Sequence, residues 1–197
     1  MRKLALLAVL VATGVLAVGA VAVANDDDGS GRNGGRLNGY QEVTSISTTG
    51  FGSFHWKLNA DEESVDYVLS YRDLESAVTQ SHIHFAQRAQ NGGIAVWLCD
   101  GDPAAPPTPP APPARTPPVC PPNTGGSVEG TFSRDDVQAA GRGINAGEWE
   151  EFIAALKVGH TYANVHTTGW TGGEIRGQLN DRDQKEYTGP PLFAVGD

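Results

Sequence analysis

The stretch Tyr162-Ala-Asn-Val-His-Thr-Thr-Gly-Trp-Thr-Gly-Gly-Glu-Ile-Arg-Gly-Gln-Leu179 decides the fold. Ala163, Val165 and Thr167 share one parity and Tyr162, Asn164 and His166 the other, the two-residue period of a strand. After the Gly-rich turn Thr168–Gly173 the alternation resumes, with Ile175, Gly177 and Leu179 on one face and Glu174, Arg176, Gln178 and Asn180 on the other. A two-stranded hairpin cannot bury its apolar face alone, so further strands must cover Val165, Ile175 and Leu179. Ser81-His-Ile-His-Phe85 is the expected partner.

Working outward, six more segments read as strands. They are Leu37–Val43, Gly50–Leu58, Ser64–Tyr71, the segment around His82 and His84, Ile94–Cys99 and Gly126–Phe132. In Ser64–Tyr71 the residues Val65, Tyr67, Leu69 and Tyr71 alternate with Asp66, Val68 and Ser70, the signature of a half-buried strand. Turn-forming residues at Asn59–Glu62 and Asn91–Gly93 separate neighbouring strands. Asn145 is expected to cap a helix over residues 146–158, with Trp149, Phe152, Ile153 and Leu156 on one stripe and Gly159 at its end. Short strands at this spacing predict a mainly β fold: an antiparallel, Greek-key or immunoglobulin-like sandwich carrying one short amphipathic helix.

The ends and the middle of the chain differ in composition from this core. Arg2 and Lys3 precede the uncharged run Leu4–Ala24, and Ala22-Val-Ala24 has the small-x-small pattern of a signal-peptidase site. Residues 1–24 therefore read as a signal peptide, with an uncleaved membrane anchor as the alternative, since the run is long enough to span a bilayer. Either way the remainder is extracytoplasmic. Residues 25–36, rich in Asp and Gly and without a large apolar side chain, read as a disordered tether. Asp26, Asp28 and Ser30 open like a calcium loop, but Leu37 stands where a bidentate Glu is needed. Residues 181–197 form a polar tail.

Eleven of the thirteen prolines lie in Pro103–Pro122, inside a Pro-rich insertion over 100–122, so that segment is expected to be extended loop. The only two cysteines, Cys99 and Cys120, stand at its ends, and in an exported protein they are expected to form a disulfide. Loss of residues 1–24 takes away Arg2 and Lys3 and no acidic residue, moving the formal charge from −9 to −11. Such a chain repels nucleic acid, and a membrane is a partner only if the N-terminal segment stays uncleaved.

The His-Ile-His strand and the terminal Tyr-x-Asn-Val-His-Thr and Gly-Glu-Ile-Arg-Gly-Gln-Leu motifs resemble those of the CHRD (chordin) domain, over about residues 36–180, taken as a domain over 37–180. The resemblance implies an exported binding or structural module whose partner is an extracytoplasmic protein or ligand. Growth-factor antagonism does not transfer, because the cysteine-rich repeats that accompany the domain in chordin-like proteins are missing. The His-x-His strand with a later Val-His strand is also similar, over a few residues, to copper/zinc superoxide dismutases. The competing reading is thus a redox protein that binds copper or zinc.

His82 and His84, two apart on a strand, share a face, and the hairpin pairing brings His166 nearby, so three imidazoles make a candidate copper or zinc site. The plainer expectation is that these histidines hydrogen-bond to Asn164, Glu174, Arg176 and Thr167, with Glu174 and Arg176 pairing across the sheet. No Ser-His-Asp constellation, carboxylate pair or phosphate loop is present, so no catalytic residue is assigned.

Overall fold

A computed structural model of the chain describes residues 33–101 and 115–179. The expected signal peptide, the aspartates of the calcium-like stretch, the polar tail and the centre of the Pro-rich insertion lie outside the described residues. Eight strands and one helix run in the order β1 (Asn33–Asn38), β2 (Phe51–Leu58), β3 (Ser64–Arg72), β4 (Val78–Phe85), β5 (Gly93–Asp100), β6 (Gly126–Ser133), α1 (Trp149–Lys157), β7 (Thr161–Thr167) and β8 (Ile175–Gln178). Strand β1 begins four residues earlier than Leu37, so Asn33–Arg36 belong to the sheet and not to the tether. Beyond Asn38 the chain turns through a 3-10 segment, Gly39–Gln41, where a continuing strand was expected.

The strands form one sheet, ordered β5-β4-β7-β8-β1-β2-β3-β6, and every neighbouring pair is antiparallel. The expected mainly β, antiparallel fold with one helix is present, and its strands join in a single sheet. Strand β1 pairs with β2 along one edge and meets β8 through Asn38 and Arg176 on the other. Gly177 permits that junction: a Cβ there would stand 2.4 Å from the carbonyl oxygen of Arg36. The result is a barrel-like sheet whose two edge strands, β5 and β6, approach each other without a ladder between them.

Three features hold that seam. Tyr67 of β3 reaches past β6 and donates from its hydroxyl to the carbonyl of Leu98 in β5, at 2.6 Å. Gly130 makes the crossing possible, because a Cβ at this position would lie 2.5 Å from the Tyr67 hydroxyl oxygen. Tyr71 donates to the carbonyl of Pro121 at 2.9 Å. Finally, Cys99 and Cys120 are joined by a disulfide, as expected. The segment entering Cys120 is not plain loop: Val119 bridges Asp100 in parallel, Asp100 N donates to Pro118 O and Cys120 N to Asp100 O. Val119 and Cys120 keep the amide hydrogens that their proline neighbours lack.

The disulfide closes a loop over a sequence separation of 21. Replacing both cysteines by serine is expected to lower stability by about 3 kcal/mol through the entropy returned to the unfolded chain. Urea titration of the oxidised protein and the double variant checks this. Thiol titration of the unfolded, unreduced protein should find no free thiol.

One apolar core fills the barrel, with Leu37, Phe54, Val65, Leu69, Ile83, Leu98, Phe132, Val165, Ile175 and Leu179 all at 1% exposure or less. Helix α1 adds Trp149, Phe152 and Leu156 to it, and Phe152 stands 5.9 Å from Phe132 by ring centroids. The helix starts later than expected. Gly147 sits at φ +77°, a left-handed turn that no helix passes through, so the first turn begins at Trp149. Asn145 caps nothing; its amide nitrogens bond the Glu148 carboxylate instead. The far end does close at Gly159, at φ +76°, with His160 N donating to Ala155 O and Gly159 N to Leu156 O.

Candidate functional site

Strand β7 is buried on both faces from Thr161 to Thr167, and so is β8. One face belongs to the barrel core. The other carries Tyr162, Asn164, His166, Arg176 and Gln178, flanked by His82, His84 and Trp97 from β4 and β5. A polar face of this kind would normally meet water. Here the segments 39–48 and 86–92 bond over it: Gln41 Oε1 accepts from Gln178 N, Gln178 Nε2 donates to Ala86 O and Gly159 O, and Arg176 bonds Gln90 O and Asn91 Oδ1.

The expectation that His82, His84 and His166 converge holds. One ring nitrogen from each lies within 4.8 Å of the others, and all three residues are buried, at 1%, 8% and 7% exposure. His84 Nδ1 meets the carbonyl of Gly92 at 3.0 Å and its Nε2 meets Asn164 Oδ1 at 3.1 Å. His166 Nδ1 meets the carbonyl of Thr171 at 2.9 Å. His82 Nδ1 lies 3.3 Å from His166 Nε2, while His82 Nε2 is buried without a hydrogen-bond partner among the described residues. The His82 ring stands edge-to-face on Trp97 with centroids 4.3 Å apart, and His84 stacks on Tyr162 at 4.7 Å.

Of the expected partners of the histidines, Asn164 lies against His84 Nε2, whereas among the described residues Glu174, Arg176 and Thr167 bond other groups. Glu174 and Arg176 each meet their own neighbour in β7, the Thr167 hydroxyl and the Tyr162 ring respectively. The Glu174 carboxylate, fully buried, accepts from the Thr48 and Thr167 hydroxyls at 2.7 and 2.8 Å and from Glu75 N at 2.8 Å. It ties β8 to the segments before β2 and β4. Arg176, 1% exposed, lays its guanidinium on the Tyr162 ring, 3.3 Å from the centroid, and donates to Gln90 O at 2.5 Å. Two-residue parity put both side chains on one face. At Glu174 the turn, not the strand, sets the direction, since β8 begins only at Ile175.

Glu42 was missed from the sequence. Its carboxyl is buried at 7% exposure, beside Asn164 and Gly173, where a Cβ on Gly173 would stand 2.6 Å from Glu42 Oε1. Burial pushes the Glu42 carboxyl up to about 7, against the opposing pull of the Arg176 charge. Glu42 lies in irregular chain where the strand Leu37–Val43 was expected, so strand parity could not place it. Burial likewise holds His82 well below the usual imidazole range, lowers His84 to about 4 and lowers His166, and mutual repulsion among the three adds to the effect at His82.

These shifts set the pH response of the metal-free protein. The unfolded histidines take up protons below about pH 6.5 and the folded ones resist, so acidification from there toward pH 4 favours unfolding. Glu42 acts the other way, because the unfolded carboxyl ionises near 4.5 while the folded one waits until about 7, so its contribution falls as pH rises through that interval. Each group contributes up to about 1.4 kcal/mol per pH unit, and three imidazoles oppose one carboxyl. The urea midpoint is therefore expected to drop between pH 6.5 and 5. A midpoint that rises over that interval would mean the imidazoles are not held neutral.

Comparison with known proteins adds one finding. A family model described as CHRD domain matches residues 35–179. No curated protein and no solved structure matches the chain.

Proposed function

Because the chain belongs to the CHRD domain family, we propose that it is a binding or structural module working outside the cytoplasm, and that its partner engages the outer face of β2, β3 and β6. The observation that carries this reading is a contrast between the two halves of the barrel. The outer side of β7 and β8 is sealed by the chain's own segments, with Asn164, His166, Arg176 and Gln178 all buried. The outer side of β2, β3 and β6 is not. Lys57, Asp66, Val68 and Glu129 are exposed there, and with His55 and Thr131 they line a groove of about 580 Å³.

Val68 is 37% exposed at the middle of this face, between the charged side chains of Asp66, Lys57 and Glu129. An apolar centre with a charged rim is the arrangement of a protein contact surface. The disulfide fits an oxidising compartment outside the cytoplasm. No helix of the described residues is long and apolar enough to cross a membrane. An export signal at residues 1–24, cleaved after about Ala24, completes the reading.

A photo-crosslinking amino acid at Val68, introduced into the full chain in its own cells, tests the surface. A crosslinked species of one discrete mass is expected from Val68 and not from the exposed Lys157 on α1. Equal labelling from both positions, or no labelled protein from Val68, would sink the assignment of this face. Lys57→Glu is expected to reduce the Val68 adduct while leaving the free energy of unfolding within about 0.5 kcal/mol of the parent, because exposed charges add little to stability.

A further inference from the structure

We propose that His82 Nδ1, His84 Nε2 and His166 Nε2 form a binding site for one zinc or copper(II) ion. The inference is independent of the partner surface on β2, β3 and β6.

The case rests on which ring nitrogens are free. A backbone carbonyl can only accept, so the contacts of His84 Nδ1 with Gly92 O and of His166 Nδ1 with Thr171 O place a proton on each Nδ1. In a neutral imidazole the other nitrogen then bears a lone pair. His84 Nε2 and His166 Nε2 are therefore both acceptors, and His166 Nε2 faces His82. This is the arrangement of metal-binding histidines, in which a carbonyl on one nitrogen fixes the tautomer and orients the other toward the ion.

Hydrogen bonds within the protein do not use these lone pairs well. His84 Nε2 faces Asn164 Oδ1 at 3.1 Å, an acceptor against an acceptor, which only rotation of the amide or a cation would reconcile. If His82 Nδ1 carries a proton, it donates to His166 Nε2, and His82 Nε2 is left as a bare lone pair in a site 1% exposed. A buried polar atom without a partner is costly and calls for an explanation. An ion replacing that one hydrogen bond takes the lone pairs of His82 Nδ1 and His166 Nε2 together, with the proton then on His82 Nε2, which keeps no hydrogen-bond partner among the described residues.

The distances fit. Two nitrogens that bind one tetrahedral ion at about 2.0 to 2.1 Å stand about 3.3 Å apart. His82 Nδ1 and His166 Nε2 are already separated by 3.3 Å, and one nitrogen of each of the three rings lies within 4.8 Å of the others. Three neutral imidazoles suit zinc or copper over calcium or magnesium, which require oxygen ligands. The Arg176 charge is felt at His84, but its guanidinium is directed to Gln90 O, Asn91 Oδ1 and the Tyr162 ring, and the Glu42 carboxyl opposes it.

The test uses the full chain purified without a polyhistidine tag, stripped with a chelator and offered Zn²⁺ or Cu²⁺ separately at about 10 µM. One ion per chain should survive desalting, with Cu²⁺ held more tightly than Zn²⁺. His82→Ala and His166→Asn should each weaken uptake at least tenfold, whereas His55→Ala and His160→Ala should not change it. Should either cluster variant fail to fold, long-range ¹⁵N spectra of the parent chain decide. Zn²⁺ is expected to move the Nε2 resonances of His84 and His166 and leave their Nδ1 protonated. Uptake that persists in folded cluster variants, absence of uptake by the folded parent, or Nε2 resonances unmoved by saturating Zn²⁺ would each overturn the site.

Discussion

Phe152→Ala is expected to lower the free energy of unfolding by about 3 to 5 kcal/mol. Phe152 has no exposed surface and meets Phe132 of β6 and Trp149 of its own helix at centroid distances of 5.9 and 6.4 Å. Removing the ring loses its transfer free energy and opens a cavity between helix and sheet that neither can close. Trp149 holds the helix in place while this happens, since its indole nitrogen donates to Glu62 O in the β2–β3 turn at 2.7 Å. Urea unfolding of Phe152→Ala beside Lys157→Ala, an exposed position on the same helix, measures the difference. A loss under about 1 kcal/mol for Phe152→Ala would mean that α1 is peripheral to the core.

Glu174→Ala should be comparably severe, at about 3 to 5 kcal/mol, for a different reason. The carboxylate accepts three hydrogen bonds in a fully buried site, and its removal strands two hydroxyls and a backbone amide. Each stranded donor costs about 1 to 3 kcal/mol, less whatever an entering water recovers. Glu174→Gln retains an acceptor oxygen and most of the volume, so its loss should be smaller. Equal losses in the two variants would show that charge, not hydrogen-bond count, holds this turn. Because the Glu174 carboxylate bonds Thr48, Thr167 and Glu75 N and, among the described residues, no histidine, a folded Glu174→Gln should leave metal uptake unchanged. This separates the stability of the motif from its chemistry.

Much of the architecture was legible from local patterning. Alternation in Ser64–Tyr71 assigned Val65, Tyr67, Leu69 and Tyr71 to the inside, and all four are buried. The helical stripe found Trp149, Phe152, Ile153 and Leu156, the cysteine count found the disulfide, and the parity of His82 and His84 with the later Val165-His166 found the cluster. These succeed because each is a statement about neighbours within a few residues, or about two groups with only each other to pair with. The exceptions are also local. Gly147 overrode the Asn145 cap, and the turn before Ile175 overrode the parity of Glu174.

By itself, then, the sequence determined where the strands from β2 to β7 lie and which of their faces are apolar, since a two-residue period is a property of the strand backbone, while the bounds of β1 and β8 were set by turns. Only the tertiary structure decided that the strands join in one barrel-like sheet, because the pairing of β1 with β8 and the reach of Tyr67 over Gly130 depend on residues far apart in the chain. It alone decided that the polar face of β7 and β8 would be buried, and that carbonyls of Gly92 and Thr171 would set the tautomers of His84 and His166. Backbone carbonyls are common to every residue. No side-chain pattern marks which of them will arrive at a ring nitrogen.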